Sequence, residues 1–331
     1  MNTPSFSLNF AYAHAFADNL QSGQIKTTNA DFQVTENLQT TFTGEGEHTY
    51  LWIEKDGENT HWLAKQLAEF AGVKPEAIGF SGLKDRNAIT RQWFSVHLPK
   101  NPAINWQAFN SPSWNILRVE RHRQKLRRGD HQSNDFKIRI RFNNTTIDKT
   151  PIETLITTAS EQGVPNYFGP QRFGRNGANL DLAQEWFVNG KKIKNRRERG
   201  LVLSAARSYL FNELLSQRVQ KGVWRCPVEG DVLIDQLPSG PLWGRGRLAT
   251  QAIALQYEQA LNERFDQWCL QLEHQGLAQE RRPLVLMPEN FDWQWLDGDL
   301  QLQFTLATGQ YATTLLREII VLVEASFSAA E

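Results

Sequence analysis

The stretch FKIRIRF, residues 136–142, constrains this chain more than any other. Its side chains alternate, with Phe136, Ile138, Ile140 and Phe142 on one side of an extended strand and Lys137, Arg139 and Arg141 on the other. A slip of one residue in pairing would bury three cations, so the register of this strand is firmly set. The fold must therefore contain a sheet with at least one strongly apolar face.

Other extended segments lie on either side of it. IKTTNADFQVTEN (25–37) and HTYLWIEKDG (48–57) are bounded by polar turns, and RQWFSVHL (91–98) places Phe94, Val96 and Leu98 on one face. WNILRVER (114–121) reads as a further strand. Between them NTHWLAKQLAEFAG (59–72) predicts a short helix, with Thr60 as N-cap, Leu63, Leu67 and Phe70 at helical spacing, and Gly72 at the stop. Beyond Pro151 the pattern turns helical over 151–162, 179–189, 201–221 and 252–280, broken by the loops NYFGPQRFGRNG and PSGPLWGRGR. Extended patterns return in RPLVLM, FDWQWL and LQLQFTL, and YATTLLREIIVLV predicts a closing amphipathic helix. Strands, then helices, then strands again predict an α+β fold in which a sheet-containing domain is interrupted by a mostly helical insertion.

A chain of 331 residues is long for one core, which agrees with two domains. No apolar run approaches the ~20 residues that span a bilayer, and MNTPSFSLNFAYAHAF lacks the basic and apolar regions of a signal peptide. Cys226 and Cys269 stand 43 residues apart without a CxxC or a regular His/Cys spacing, so neither a disulfide framework nor a structural zinc site is expected. These features together predict a cytoplasmic protein. Net charge is zero, yet residues 118–141 carry nine Lys/Arg against three acids, and KKIKNRRER (191–199) carries six against one. Compensating acids lie elsewhere, at Glu289, Asp292, Asp297 and Asp299. Such separation suits an anionic partner, RNA above all, although a solvated surface would read the same way.

In GFSGLKDRNAITRQ, Gly79 and Gly82 permit a tight turn ahead of a strand, which would set Asp85 at a sheet edge. The neighbouring cations Lys84 and Arg86 are expected to keep that carboxylate ionised for work as a nucleophile or base. DFQVTE (31–36) by itself reads as a strand with an inward phenylalanine. NYFGPQRFGR (166–175), with three aromatics, two glycines and two arginines, suits stacking and phosphate contact. No phosphate loop, metal-ligand spacing or Ser-His-Asp pattern accompanies these motifs.

Taken together, DFQVTE, GLKDRNAITRQ, NDF, NYFGPQRFG, RSYLFNELL and FTLATGQYATTLLRE resemble the TruD family of pseudouridine synthases, in order and spacing, over about residues 25–318. The resemblance implies a catalytic domain with a mixed, mainly antiparallel sheet (1–159 and 283–331) interrupted by an inserted TRUD domain (160–282). It implies isomerisation of uridine 13 of tRNA without metal or other cofactor, in a monomer with no obligate protein partner and no membrane association. It places the catalytic aspartate at Asp85 with Lys26 as its basic partner, and substrate contacts at Phe32, Asn134, Phe136 and Phe304. LATG (306–309) departs from the LPxG turn of many members, which leaves Phe304 less firmly placed than Asp85. A non-catalytic RNA-binding protein or tRNA chaperone would use the same basic and aromatic surface, and a glycosylase or nuclease would use Asp85 differently.

Overall fold

The computed structural model describes residues 10–16, 20–100, 102–142 and 147–324. Its backbone contacts divide the chain into two compact units: Gln21–Thr150, Pro288–Gly309 and Ile320–Glu331 form one, and Met1–Leu20, Pro151–Met287 and Gln310–Ile319 the other. The first begins with β1 (Ser22–Ile25), β2 (Phe32–Asn37), β3 (His48–Asp56) and α1 (Thr60–Phe70). It continues through β4 (Ile78–Phe80), β5 (Ile89–His97), β6 (Trp114–His122) and β7 (Ser133–Ile140). Helix α1 is capped by Asn59 rather than Thr60: the Asn59 Oδ1 accepts from the amides of His61 and Trp62 at 2.8 and 3.3 Å. The Thr60 hydroxyl instead donates to Gln92 Oε1 at 3.0 Å. Leu63, Ala64, Leu67 and Ala68 are the buried stripe, packed on Leu51, Ile53, Phe94 and Val96, while Phe70 is 39% exposed.

Most of α2 (Lys149–Gln162) belongs to the second unit, followed there by β8 (Val164–Pro165), α3 (Ala178–Phe187) and α4 (Arg196–Gln220). Then come β9 (Leu233–Ile234), β10 (Leu237–Leu242), α5 (Ala252–Arg264), α6 (Asp266–His274), β11 (Glu280–Pro283) and β12 (Val285–Leu286). The sequence PSGPLW, read above as loop, supplies most of β10, the middle strand of a three-stranded sheet ordered β11-β10-β9. The core of this unit gathers on α4 through Tyr209, Phe211 and Leu214, with Phe265 and Trp268 against them. Residues 10–16 also pack here: the Tyr12 ring stacks on Tyr167 at 5.2 Å, and the Ala15 amide donates to Glu318 Oε2 at 2.7 Å. These anchors explain why the start of the chain and residues 310–319 group with the helical unit, where the sequence reading had joined them to the sheet. Among the described residues no helix is long and apolar enough to cross a membrane.

The remaining elements are β13 (Glu289–Leu296), β14 (Asp299–Ala307), α7 (Ala312–Leu316) and β15 (Val321–Glu324). The expected closing helix is thus only five residues long. Its continuation IIVLV is β-branched and apolar, which favours extension, and β15 pairs in parallel with β1. The main sheet of the first unit runs β13-β14-β7-β2-β5-β3-β6, with β4 beside β5. Only the β2–β5 pairing within it is parallel.

Strand β7 keeps the register its sequence demands. Ile138 pairs with Leu302 and Phe32, and Phe136 with Phe304 and Val34. On the opposite face the arginines meet carboxylates: Arg139 Nε donates to Asp299 Oδ2 at 2.8 Å, and Arg141 makes two bonds to Asp31 at 2.8 and 2.7 Å. Burial alone would push the Asp31 carboxyl up, but the hydrogen bonds from Arg141 and the Thr28 amide outweigh it and hold the group below its ordinary value. The stabilisation is therefore present above the ordinary pKa of an unfolded aspartate, about 3.9, and is lost as the pH falls through the lower folded value. Arg141→Met should cost roughly 1.5–3 kcal/mol at pH 7. In urea titrations the gap from wild type should narrow progressively below pH 4.

Candidate active site

The glycine-flanked motif forms the connection between β4 and β5, and nearly every polar group of that loop has a partner. Gly79 answers a need for closeness rather than for positive φ: a Cβ there would lie 2.3 Å from the Leu126 carbonyl and 2.5 Å from Ser95 Oγ. The Ser81 carbonyl accepts from the Gly129 amide at 2.9 Å, and its Oγ bonds His131 Nδ1 at 2.5 Å. Gln92 Nε2 donates to the Gly82 carbonyl at 3.1 Å, and the Lys84 amide donates to Thr60 Oγ1 at 3.1 Å. Lys84 Nζ reaches Glu36 Oε2 at 2.7 Å, with both side chains almost fully buried. The Glu36 Oε1 accepts from the Trp93 amide at 3.1 Å. Arg86 Nε donates to the Gly57 carbonyl at 3.3 Å. The two cations beside Asp85 in sequence are thus committed to anchoring the loop. Their expected role as partners of its carboxylate is not what the geometry gives them.

That partner is Lys26, whose Nζ lies 3.4 Å from Asp85 Oδ1. The lysine side chain is 12% exposed and the aspartate 51%, so the carboxylate stands at an opening rather than deep in the core. Lys26 adopts φ 58°, a left-handed conformation rare for a residue with a side chain, just after β1. Its ammonium lies 4.6 Å from the centroid of the Phe32 ring. From there the aromatic contacts continue: Phe32 meets Phe136 edge-on at 6.2 Å, Phe136 stacks on Phe304 at 5.4 Å, and Phe304 on Phe291 at 5.7 Å. Phe32 and Phe304 are each 2% exposed, whereas Phe136 is half-buried at the open end of the apolar face that Ile138 and Ile140 continue inward. Strand pairing with Phe136 holds Phe304, so the LATG turn does not decide its position. Asn134 is one step further along the same face as Phe136. Its Oδ1 is buried and, among the described residues, has no hydrogen-bond partner. The structure thus brings the six residues named from sequence to one side of one sheet.

Sequence reasoning missed the buried polar groups beneath the loop. Lys55 is fully buried, and its Nζ donates to the carbonyls of Glu58 at 2.7 Å and Asp85 at 3.0 Å. Burial lowers its pKa to about 8, opposed by the charges of Asp85 and Glu58 and reinforced by that of Lys84. A signal was available, since Lys55 follows Leu51 and Ile53 at alternate positions, as Glu36 follows Phe32 and Val34. Read for phase, each is a charged residue on an inward face.

Other surfaces contribute less than their sequences suggested. In NYFGPQRFGR, Tyr167, Phe168 and Phe173 are core residues of the helical unit, unavailable for stacking on bases. Along residues 118–141, Arg118 pairs with Glu120, Arg123 with Glu45, and Lys125 with the Glu76 carbonyl. The cations of Lys191–Arg199, by contrast, are exposed. A cavity of about 920 Å³ opens on the opposite face of the sheet, where Thr35, Asn37, Asp135, Trp52 and Trp93 line it. Its polar floor is internally satisfied: Asn37 Nδ2 and Thr305 Oγ1 both donate to Asp135 Oδ1, at 2.8 and 2.6 Å.

Comparison with known proteins gives one consistent result. The family model for tRNA pseudouridine synthase D (TruD) matches residues 14–198. A tRNA pseudouridine synthase D of Cellvibrio japonicus is 50% identical over 321 residues, covering 96% of this chain and 94% of that protein. One of Hydrogenovibrio crunogenus is 40% identical, covering 96% and 98%. The fold is similar to a crystal structure described as a tRNA pseudouridine synthase D (TruD) from Methanosarcina mazei, with a TM-score of 0.68 at 19% identity, over 93% of this chain and 95% of that one. The chain belongs to the tRNA pseudouridine synthase D (TruD) family.

Proposed function

We propose that this protein isomerises uridine 13 of tRNA to pseudouridine, with Asp85 as nucleophile or base, and that its sheet unit is the catalytic domain. The observation that carries the reading is the juxtaposition of a half-exposed carboxylate, its lysine partner and a phenylalanine ladder through Phe136, with the unpartnered Asn134 amide oxygen two residues along the same strand face. The reaction breaks the C1′–N1 bond, turns the base and rejoins it through C5. Nothing is oxidised and no group is donated, so a carboxylate, a means of holding the detached base and an RNA-binding surface are the parts required. Lys26 balances the charge of Asp85 and fixes its direction. Phe136 offers its exposed edge and face to the uracil, backed by Phe32 and Phe304. Asn134 Oδ1 can accept the uracil N3–H, a bond that would remove its unpaired state. Taking the target nucleotide out of folded RNA costs unstacking energy, which phosphate binding by exposed cations offsets. The strained backbone of Lys26 supports the reading, because such outliers cluster where a side chain must be aimed.

Three outcomes test it. Asp85→Asn should lower pseudouridine formation by about 10²-fold or more, while tRNA affinity stays within about tenfold. Chemical mapping of pseudouridine at position 13 is the readout; full turnover by this variant would remove Asp85 from the chemistry, and absence of pseudouridine with the wild-type protein would return it to a non-catalytic RNA-binding role. Phe136→Ala should lose single-turnover rate with a stability cost nearer the ~1–3 kcal/mol of a stacking platform than the ~3–5 kcal/mol of a core truncation. A large drop in melting temperature with normal rates would put Phe136 in the core alone. Replacing the cations of Lys191–Arg199 by alanine should weaken tRNA binding and flatten its salt dependence by about one unit of slope for each phosphate no longer neutralised. An unchanged slope would make that run an ordinary solvated surface.

A further inference from the structure

The geometry points to Lys55 as a positioning residue for the reaction at Asp85, holding the main chain of the reactive aspartate from beneath. The inference rests on the reading of Asp85 as the reactive group. Three observations converge on it. Lys55 is fully buried on β3, a strand next to the β5 into which the motif loop runs, and its residue pairs with Thr90 in register. Its ammonium donates to the Asp85 carbonyl at 3.0 Å and to the Glu58 carbonyl at 2.7 Å, so one side chain ties the loop before β5 to the turn that leads into α1. No carboxylate oxygen bonds it among the described residues, so the buried charge is balanced by backbone dipoles and by the field of its neighbours.

That arrangement is costly for a merely structural tie. A buried ammonium without a bonded counter-ion is unfavourable, and an apolar side chain of similar length would fill the same space. What the ammonium adds is a charged donor aimed at the one carbonyl whose residue carries the reactive carboxylate. Charge-assisted bonds are about twice as strong as neutral ones, and a small displacement of a reacting group can cost about 10²-fold in rate. The rest of the loop has its own anchors in Gln92, Thr60 and Glu36, so Lys55 acts on Asp85 locally. The charged and titratable groups facing its ammonium are Asp85 and Lys84 from the loop and Glu58 from the turn.

The test compares wild type, Lys55→Met, Lys55→Gln and Asp85→Asn in single-turnover pseudouridine formation, tRNA binding and thermal melting. Lys55→Met is expected to slow the single-turnover rate by about 10²-fold, with tRNA affinity within about threefold of wild type and the deficit appearing in kcat rather than KM. Lys55→Gln, which keeps an N–H donor without the charge, is expected to recover part of that rate. The wild-type rate should also decline as the pH rises through about 8, where the Lys55 ammonium loses its proton, and the Met variant should lack that decline. Rates are referred to the fraction of protein that binds tRNA, so loss of fold does not register as loss of rate. The inference is overturned if folded Lys55→Met turns over within about threefold of wild type, or if its deficit lies in tRNA affinity alone. It is also overturned if both variants fail to fold and the wild-type rate stays level to pH 9. If Asp85→Asn keeps the wild-type rate, the reading of the reactive group fails instead, whatever Lys55 does.

Discussion

The Glu36 carboxylate is the point on which the site's geometry depends. Almost wholly buried, it takes Lys84 Nζ on one oxygen and the Trp93 amide on the other. It therefore joins β2, the motif loop and β5 through one side chain. A buried ion pair contributes little net stability when complete, because desolvation cancels much of the attraction. Breaking it is another matter, since the partner left behind is an unpaired charge in the core. The loop consequently has one position in which both charges are satisfied. Asp85 is the next residue after Lys84, so its carboxylate inherits that position.

This pair belongs to a wider pattern in the sheet. Along β3 the inward residues are Leu51, Ile53 and Lys55, along β2 Phe32, Val34 and Glu36, and along β5 Thr90, Gln92, Phe94 and Val96. In each strand an apolar inward row gives way to buried polar residues. The apolar portion of β3 and β5 packs against α1 and supplies burial energy. The polar portion receives the loop through directional bonds, for which apolar contact is a poor substitute. Non-directional packing would allow the loop several near-equal positions, whereas donors and acceptors fixed on adjacent strands allow one.

How much of this was legible in the sequence follows from the same distinction. The alternation of FKIRIRF determined the register of β7, because a period of two with cations on one side has one solution, while the half-open place of Phe136 at the end of that face was not legible from the alternation. The motif resemblance brought Asp85, Lys26, Phe32, Asn134, Phe136 and Phe304 together in advance, though composition and spacing alone would not have done so. The partners of the cations were not legible. Lys84 and Arg86 sit beside Asp85 in sequence, but successive residues in a tight loop point apart, and each has its acceptor elsewhere. The aromatic loop at 166–175 misleads for a related reason: glycine and arginine suggest exposure, while Tyr167, Phe168 and Phe173 bury themselves against α4 and its neighbours. The closing helix is short because IIVLV gains more as an extended partner of β1 than as helix.

Lys26 shows how these constraints meet. Its positive φ costs of order 1–3 kcal/mol for a residue with a side chain, and a glycine there would avoid the strain. The lysine stands where its ammonium lies over the Phe32 ring and reaches Asp85. A cation over an aromatic face contributes about 0.5–2 kcal/mol depending on desolvation, and the ion pair adds a comparable amount at a half-open site. These gains are of the same size as the strain, so the stability of the fold gives little reason for a lysine at this position. The arrangement makes sense through what it holds in place: a compact, single-point charge against one oxygen of a carboxylate that remains half-exposed. An arginine would engage both oxygens in a fork and cover the carboxylate that here stays half-exposed.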